Sequence, residues 1–254
     1  MSLEWDSRFF GFPVARIRCA EQSPAELESE LRSLERRGCR LLYWFGGVSG
    51  PPRDTQLTEL GGTILDRRFT FSRSLTALAA RALPATTRVE LFEDRLPTPA
   101  LEELALLAGR CSRFRTDPRI GRAKFEELYL RWIAASVSRE AADAVFVIRE
   151  GGIEQGFVSV RCRDGVGEIG LIAVSELMRG RGLGSDLVDA SLAYFESRRC
   201  RRARVVTQEA NREARALYER SGYAVEEVER VCHFWLPGDA RRRTSMQPPS
   251  PGPG

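Results

Sequence analysis

Residues 179–184 read Arg-Gly-Arg-Gly-Leu-Gly. They follow the apolar run Glu168-Ile-Gly-Leu-Ile-Ala-Val174 and open a segment whose apolar residues Leu183, Leu187, Val188, Leu192 and Phe195 fall on one helical face. Glycines at a helix start let backbone N–H groups come close to an anion. The helix dipole favours negative charge there, and Arg179 and Arg181 add cations. The chemistry this spacing fits is the holding of a pyrophosphate. Two better-known phosphate loops do not fit. A Walker loop needs G-x-x-x-x-G-K-[ST], and the lysine is missing. A dinucleotide fingerprint needs a third glycine where Ser185 stands, and an acidic residue about 20 positions on in a parallel βαβ unit. Taken alone, the hexapeptide also fits a tight turn with solvated arginines.

Composition limits what else can react. The chain has 254 residues, one histidine (His233), six cysteines, and Lys124 as the sole lysine among 39 cations. A single imidazole excludes most zinc sites and most Ser-His-Asp or Cys-His schemes. Cys19, Cys39, Cys111, Cys162, Cys200 and Cys232 form no C-x-x-C pair, so they read as reduced packing residues and no metal is expected. His233 lies in an alternating strand beside Phe234 and Trp235, where a packed or edge residue is the ordinary outcome. Carboxylates, tyrosine and backbone dipoles are left to carry any catalysis. A net charge of only +4, with the arginines spread throughout, argues against a nucleic-acid partner. With 43% hydrophobic and 29% charged residues the composition is that of a soluble globular protein. No apolar run approaches the ~18 residues of a membrane span, and Met-Ser-Leu-Glu-Trp-Asp lacks the basic-then-apolar secretory pattern, so a cytoplasmic location is expected.

The elements that must position the glycine loop follow from periodicity and punctuation. Residues 1–20 read as extended, 24–37 as a helix, 41–45 as a strand, then a short helix to Leu60 and a strand over 63–75. Beyond these come a strand at 88–92, a helix at 98–109 capped by Thr98 and Pro99, and a helix at 125–137. Strands at 144–149, 156–163 and 168–174 are separated by Gly151-Gly152 and Asp164-Gly165 turns. A helix over 182–198, a strand over 203–208, a helix over 212–221 and strands at 223–226 and 230–236 complete the pattern. The Pro, Ser and Gly-rich tail 239–254 is expected to be disordered. One stretch repeats at an offset of 160: Leu57-Thr-Glu-Leu-Gly-Gly-Thr-Ile-Leu65 lies over Leu217-Tyr-Glu-Arg-Ser-Gly-Tyr-Ala-Val225. Residues 1–85 therefore read as a partial copy of the C-terminal unit, although helix–Gly–strand corners also recur by chance.

Strand, R-x-x-G-x-G at Arg179 to Gly184, helix, strand, Asn211 and then Tyr218 resemble the GNAT superfamily of acyl-CoA N-acyltransferases over about residues 86–236. Within it, the chain is similar to the TDP-fucosamine acetyltransferases. That likeness rests on Leu3-Glu-Trp-Asp-Ser-x-Phe-Phe-Gly11, Ser112-Arg-Phe-Arg115, Trp132-Ile133 and Val206-Thr-Gln-x-x-Asn211 with Tyr218. The resemblance implies an α/β GNAT fold: a mixed, largely antiparallel central sheet flanked by helices and splayed at the cofactor cleft. It also implies a smaller, truncated GNAT-like N-terminal α/β domain. The domains expected are a non-catalytic 1–85, a catalytic 86–238 and the tail 239–254. Thr58 would stand where Tyr218 does, and residues 1–85 have no glycine cradle.

By the same resemblance, Arg179, Gly180, Arg181, Gly182, Leu183, Gly184 and Ser185 would hold the pyrophosphate of acetyl-CoA. Ile172, Ala173 and Val174 would offer main-chain groups to its pantetheine arm, and Asn211 would bind it too. Tyr218 would face the thioester sulfur as general acid, a phenol of pKa about 10 being suited to protonating a thiolate; its alternative is a packed aromatic. Glu168 stands where related histone acetyltransferases place a glutamate base, but it is equally a solvated strand end. Arg113 and Arg115 flank Phe114 where the acceptor side of the cleft is expected, and could fork a diphosphate or lie in a solvated loop. Val206 replaces a glutamate of the ribosomal-protein acetyltransferases, which argues against a peptide substrate. The function expected is acetyl-CoA-dependent acetylation of an amino sugar, nucleotide-linked as the leading case, in a ternary complex. Its rivals are a protein or small-amine acetyltransferase and a non-catalytic acyl-CoA sensor. The partners expected are a small-molecule amine and a second copy of the chain, with no membrane span.

Overall fold

A computed structural model of the protein describes residues 2–19, 21–75 and 88–237. The expected tail 239–254 and the junction at residue 85 lie outside them. In chain order the elements are α1 (Glu4–Phe10), β1 (Val14–Cys19), α2 (Pro24–Arg36), β2 (Leu41–Gly47), α3 (Asp54–Glu59) and β3 (Gly62–Ser74). Then come β4 (Val89–Leu91), α4 (Pro99–Ala108), α5 (Arg113–Thr116), α6 (Arg122–Val137), β5 (Ala144–Glu150), β6 (Ile153–Arg163) and β7 (Val166–Val174). A 3-10 turn (Glu176–Met178) leads into α7 (Leu183–Ser197), β8 (Arg202–Gln208), α8 (Arg212–Arg220) and β9 (Ala224–Trp235).

The chain divides into two compact units, one reaching to Arg67 and resuming at Glu229, the other running from Arg68 to Val228. It passes from one to the other inside the long strands β3 and β9, ahead of the junction expected near residue 85. In the first unit β1 pairs parallel with β2, and β2 antiparallel with residues 229–235 of β9. Its core gathers Leu27, Leu31 and Leu34 from one face of α2 with Leu42, Trp44, Leu57 and Phe234. Ser23 and Pro24 start α2 as a capping box, in which Ser23 Oγ accepts the Glu26 N–H and the Glu26 carboxylate accepts the Ser23 N–H.

The second unit is a mixed sheet. Residues 68–74 of β3 pair antiparallel with β8, β8 parallel with β7, and β7, β6, β5 and β4 follow antiparallel. Helix α7 lies against β5, β6 and β7, burying the expected face of Leu183, Leu187, Val188, Leu192 and Phe195. Its Phe195 ring needs the bare backbone of Gly167, where a Cβ would come within 2.2 Å of it. Helix α4 packs on β6, β7 and α6, so helices cover both faces.

Three expectations from sequence need correction. Residues 4–10, expected to be extended, form α1, with Trp5 stacked on Phe9 at 5.2 Å and Gly11 closing the helix at φ 76°. The i,i+4 aromatic pair outweighs the alternation. Residues 113–116, expected as loop, make a helical turn. The two strands expected at 223–226 and 230–236 are one, β9. Within each unit arginines pair with its glutamates: Glu226 with Arg202 at 2.9 Å and Arg204 at 3.3 Å, and Glu229 with Arg18 at 2.7 Å.

Candidate active site

Over its second half, β7 has a strand partner on one side only within its unit. The parallel ladder with β8 runs from Val166 opposite Arg202 to Ile169 opposite Val205 and stops there. The ladder with β6 continues through Ile172, Ala173 and Val174. The parallel strands therefore part after Ile169. Just there β7 bulges, so that Ser159 of β6 faces both Gly170 and Leu171. The Leu171 N–H donates to Ser159 Oγ at 2.8 Å, and the Ser175 N–H donates to the Gln155 carbonyl at 2.8 Å. Amides alternate between the two edges of a strand, so those of 171, 173 and 175 face β6 while those of Ile172 and Val174 face the gap. Of the three β7 residues singled out from sequence, Ile172 and Val174 turn N–H groups into the opening and Ala173 turns towards β6. Such a pair of donors can hold an extended amide chain or a carbonyl oxygen that gains negative charge.

The glycine loop lies at the same end of β7. Gly182 caps α7 at φ 83° with no side chain to fill the cap, and Gly180 sits at φ 77°. Both angles belong to the left-handed region that favours glycine. No atom comes within 4 Å of where a Cβ would stand at either position, so the space in front of them is open. The N–H groups of Ser185 and Asp186 return to the Gly182 carbonyl at 2.9 and 3.1 Å. Those of Leu183 and Gly184 lie ahead of them in the first turn, where a helix has no internal acceptor to offer. Gly184 admits the neighbouring helix: a Cβ there would meet Leu217 of α8 at 3.2 Å. The loop thus meets the requirements of an anion cradle.

Its arginines are already engaged. Arg179 pairs with Glu176 at 3.4 Å and Glu213 at 3.3 Å, and Arg110 reaches the same carboxylates at 2.9 and 3.3 Å. Arg181 lies 3.8 Å from Glu150. These are largely exposed pairs, worth about 1 kcal/mol or less each, so an incoming phosphate could displace them. Arg110 and Glu213 gave no sequence signal, because their meeting depends on how the end of α4, the 3-10 turn and α8 converge.

Tyr218 on α8 is 2% exposed, between the Phe71 and Tyr223 rings at centroid distances of 5.8 and 6.0 Å. Burial alone pushes its phenol well above the ordinary tyrosine range, so the hydroxyl stays protonated and able to donate at neutral pH. Asn211 caps α8, its Oδ1 accepting the Ala214 N–H at 3.2 Å, which leaves Nδ2 as the group a ligand would meet.

Other residues predicted from sequence are placed differently. Glu168 is exposed on β7, in register with Arg161 on one side and Arg204 on the other. It lacks the burial that a base role calls for. The Arg113 guanidinium lies over the Phe114 ring at 4.3 Å, and that of Arg115 over Phe125 at 5.8 Å. Both are held on aromatic faces around α5 and α6. Among the described residues no three His, Cys, Asp or Glu side chains group as a metal site, and no helix is long and apolar enough to cross a membrane.

Comparison with known proteins bears on this geometry. The Acetyltransferase (GNAT) family profile matches residues 108–223. A dTDP-fucosamine acetyltransferase of Escherichia coli O6:H1 is 25% identical over 236 residues, 92% of this chain and 95% of its own length. A mycothiol acetyltransferase of Beutenbergia cavernae is 30% identical over 58% of this chain, which spans about half (48%) of that relative. The fold resembles that of a GCN5-related N-acetyltransferase from Kribbella flavida, with a TM-score of 0.52 at 19% identity, covering 89% of this chain and 83% of that one. Residues 108–223 therefore match the GNAT acetyltransferase domain, which marks the protein as an acyltransferase with acetyl-CoA as its acyl donor.

Proposed function

We propose that this acyltransferase acetylates the amine of an amino sugar, one linked to a nucleotide, by direct attack on the thioester while both substrates are bound. The observation that carries the proposal is the parting of β7 from β8 beside the uncapped start of α7. Acetyl-CoA supplies an acyl group activated as a thioester. The backbone from Gly180 to Ser185, with Arg179 and Arg181 released from their carboxylates, would hold its pyrophosphate. Main-chain groups of Ile172 and Val174 would meet the pantetheine arm, and Asn211 Nδ2 would add a donor.

In the transfer, the amine nitrogen bonds to the carbonyl carbon and the C–S bond breaks. The Ile172 N–H faces the carbonyl oxygen as it gains charge, a contact worth about 3–4 kcal/mol in comparable sites. Tyr218 gives its proton to the departing thiolate and regains one from solvent. The amine's proton leaves to water, and exposed Glu168 is not required to take it. Arg113 and Arg115 would swing from Phe114 and Phe125 to an acceptor diphosphate.

The acceptor class is supported by the likeness to the E. coli enzyme, which extends over nearly the whole chain rather than the GNAT domain alone. The mycothiol acetyltransferase likeness favours a second reading, a small amine without a nucleotide. We take the first unit as a degenerate, non-catalytic relative of the second, with exposed Thr58 at the place of Tyr218. Thiol release from acetyl-CoA against nucleotide amino sugars, free amino sugars and peptides tests the assignment. Turnover confined to the nucleotide-linked set is expected; turnover with free sugars or peptides alone would overturn it.

A further inference from the structure

Ser159 is a hydroxyl in the apolar strand Phe157-Val158-Ser159-Val160, and it is 1% exposed. Opposite it, β7 holds one residue more than β6: Val158 faces Ile172 and Val160 faces Ile169, so Ser159 alone spans Gly170 and Leu171. The extra residue leaves the Leu171 amide without a main-chain acceptor in the ladder, and Ser159 Oγ takes its place at 2.8 Å. Gly170 makes room for that hydroxyl, since a Cβ there would stand 2.9 Å from Ser159 Oγ. We propose that Ser159 is a positioning residue that sets the phase of β7, so that the Ile172 amide, and not that of Leu171, faces the acetyl carbonyl.

The phase matters because a strand alternates. A shift of one residue turns every N–H to the opposite edge and every side chain to the opposite face. Beyond the bulge, Ser175 donates to Gln155, and the Ala173 carbonyl lies 3.3 Å from where a Gly156 Cβ would be, so odd-numbered main-chain groups face β6. Even-numbered ones are left for the gap. The side chains keep the same phase, with Ile172 and Val174 packed against the α7 core. Without the hydroxyl, the buried Leu171 N–H is unsatisfied and the bulge has nothing to hold it. Ser159 touches neither substrate in this account; it acts through Leu171 on Ile172.

This inference rests on the acetyl-transfer reading, and its test needs no acceptor. Full-length protein is loaded with acetyl-CoA carrying a 13C-labelled acetyl carbonyl, and the bound C=O stretch is read by isotope-edited infrared difference spectroscopy. In the wild type and in Ser159→Thr, which keeps the oxygen, the band should move to lower wavenumber on binding. In Ser159→Ala and Gly170→Ala at least half of that shift should be lost, while the Kd for CoA, which has no carbonyl there, stays within about twofold. Gly170→Ala disturbs the same contact from the other strand and serves if Ser159→Ala does not fold. A full wild-type shift in both variants, or its loss in Ser159→Thr as well, would overturn the positioning role. A wild type that binds acetyl-CoA with no shift would remove the Ile172 contact and leave the donor site standing. A wild type that does not bind acetyl-CoA would remove both.

Discussion

Helix α2 joins the parallel strands β1 and β2, and α7 joins the parallel strands β7 and β8; each second strand then leads through a short helix and a glycine of positive φ, Gly61 or Gly222, into a long strand. With that shared plan the two units differ at two points. The first turn of α2 is closed by its own side chains, Ser23 and Glu26, whereas α7 starts at a bare glycine with no side-chain cap over its first amides. Strands β1 and β2 stay paired over six residues from Val14 to Cys19, whereas β7 and β8 part after four. A cap and a full ladder make a stable corner; removing both makes a cleft with donors along its edge.

The comparison can be broken at several strengths. Strand β2 leads through α3 to β3, whose residues 68–74 pair with β8, and β8 leads through α8 to β9, whose residues 229–235 pair with β2. A fragment starting at residue 86 loses residues 68–74 from the edge of β8 and is expected to show no cooperative melt, whereas a sharp transition would make the second unit independent. Gly182→Asp should weaken acetyl-CoA binding by at least about 100-fold by placing a carboxylate in the cradle, as seen by calorimetry. Gly182→Asn, similar in shape but uncharged, should lose far less.

Tyr218→Phe should lower kcat about 100-fold or more while acetyl-CoA affinity stays within about twofold. Because burial raises this phenol, kcat should show no falling limb from it between neutrality and about pH 10; loss of rate from pH 8 would assign the acid elsewhere. Ser23→Ala, which opens the cap of α2, should cost about 1 kcal/mol in chemical denaturation and leave turnover unchanged. Glu168→Gln should change kcat by less than about threefold, and a 100-fold fall would restore it as the base.

The cradle was legible in the sequence because glycine spacing and helical periodicity are local. The face of α7 and its start at Gly182 both follow from the stretch Gly182 to Phe195. The two stretches aligned at an offset of 160 both fold as a short helix, a glycine of positive φ (Gly61 or Gly222) and a strand. Features made by distant residues were hidden. Ser159 looks like an ordinary strand residue until the bulge of β7 is seen, although one hydroxyl amid Phe157, Val158 and Val160 is a signal that something must bond to it. The arginine excess was unexplained from composition. In the structure Arg18, Arg202 and Arg204 hold the glutamates of β9, and buried Arg230 binds Asp54 and the carbonyls of Gly47 and Gly50. The stacking of Arg113 on Phe114 and of Arg115 on Phe125 was hidden because it depends on the turn of α5.

Amide hydrogen exchange with and without acetyl-CoA tests the contrast between the two corners most directly. Binding should slow exchange at residues 172–174 and 180–185 and leave residues 23–27, closed by their own cap, unchanged. Slowing at 23–27, or none at 180–185 at saturating acetyl-CoA, would contradict the assignment of the site to the uncapped helix.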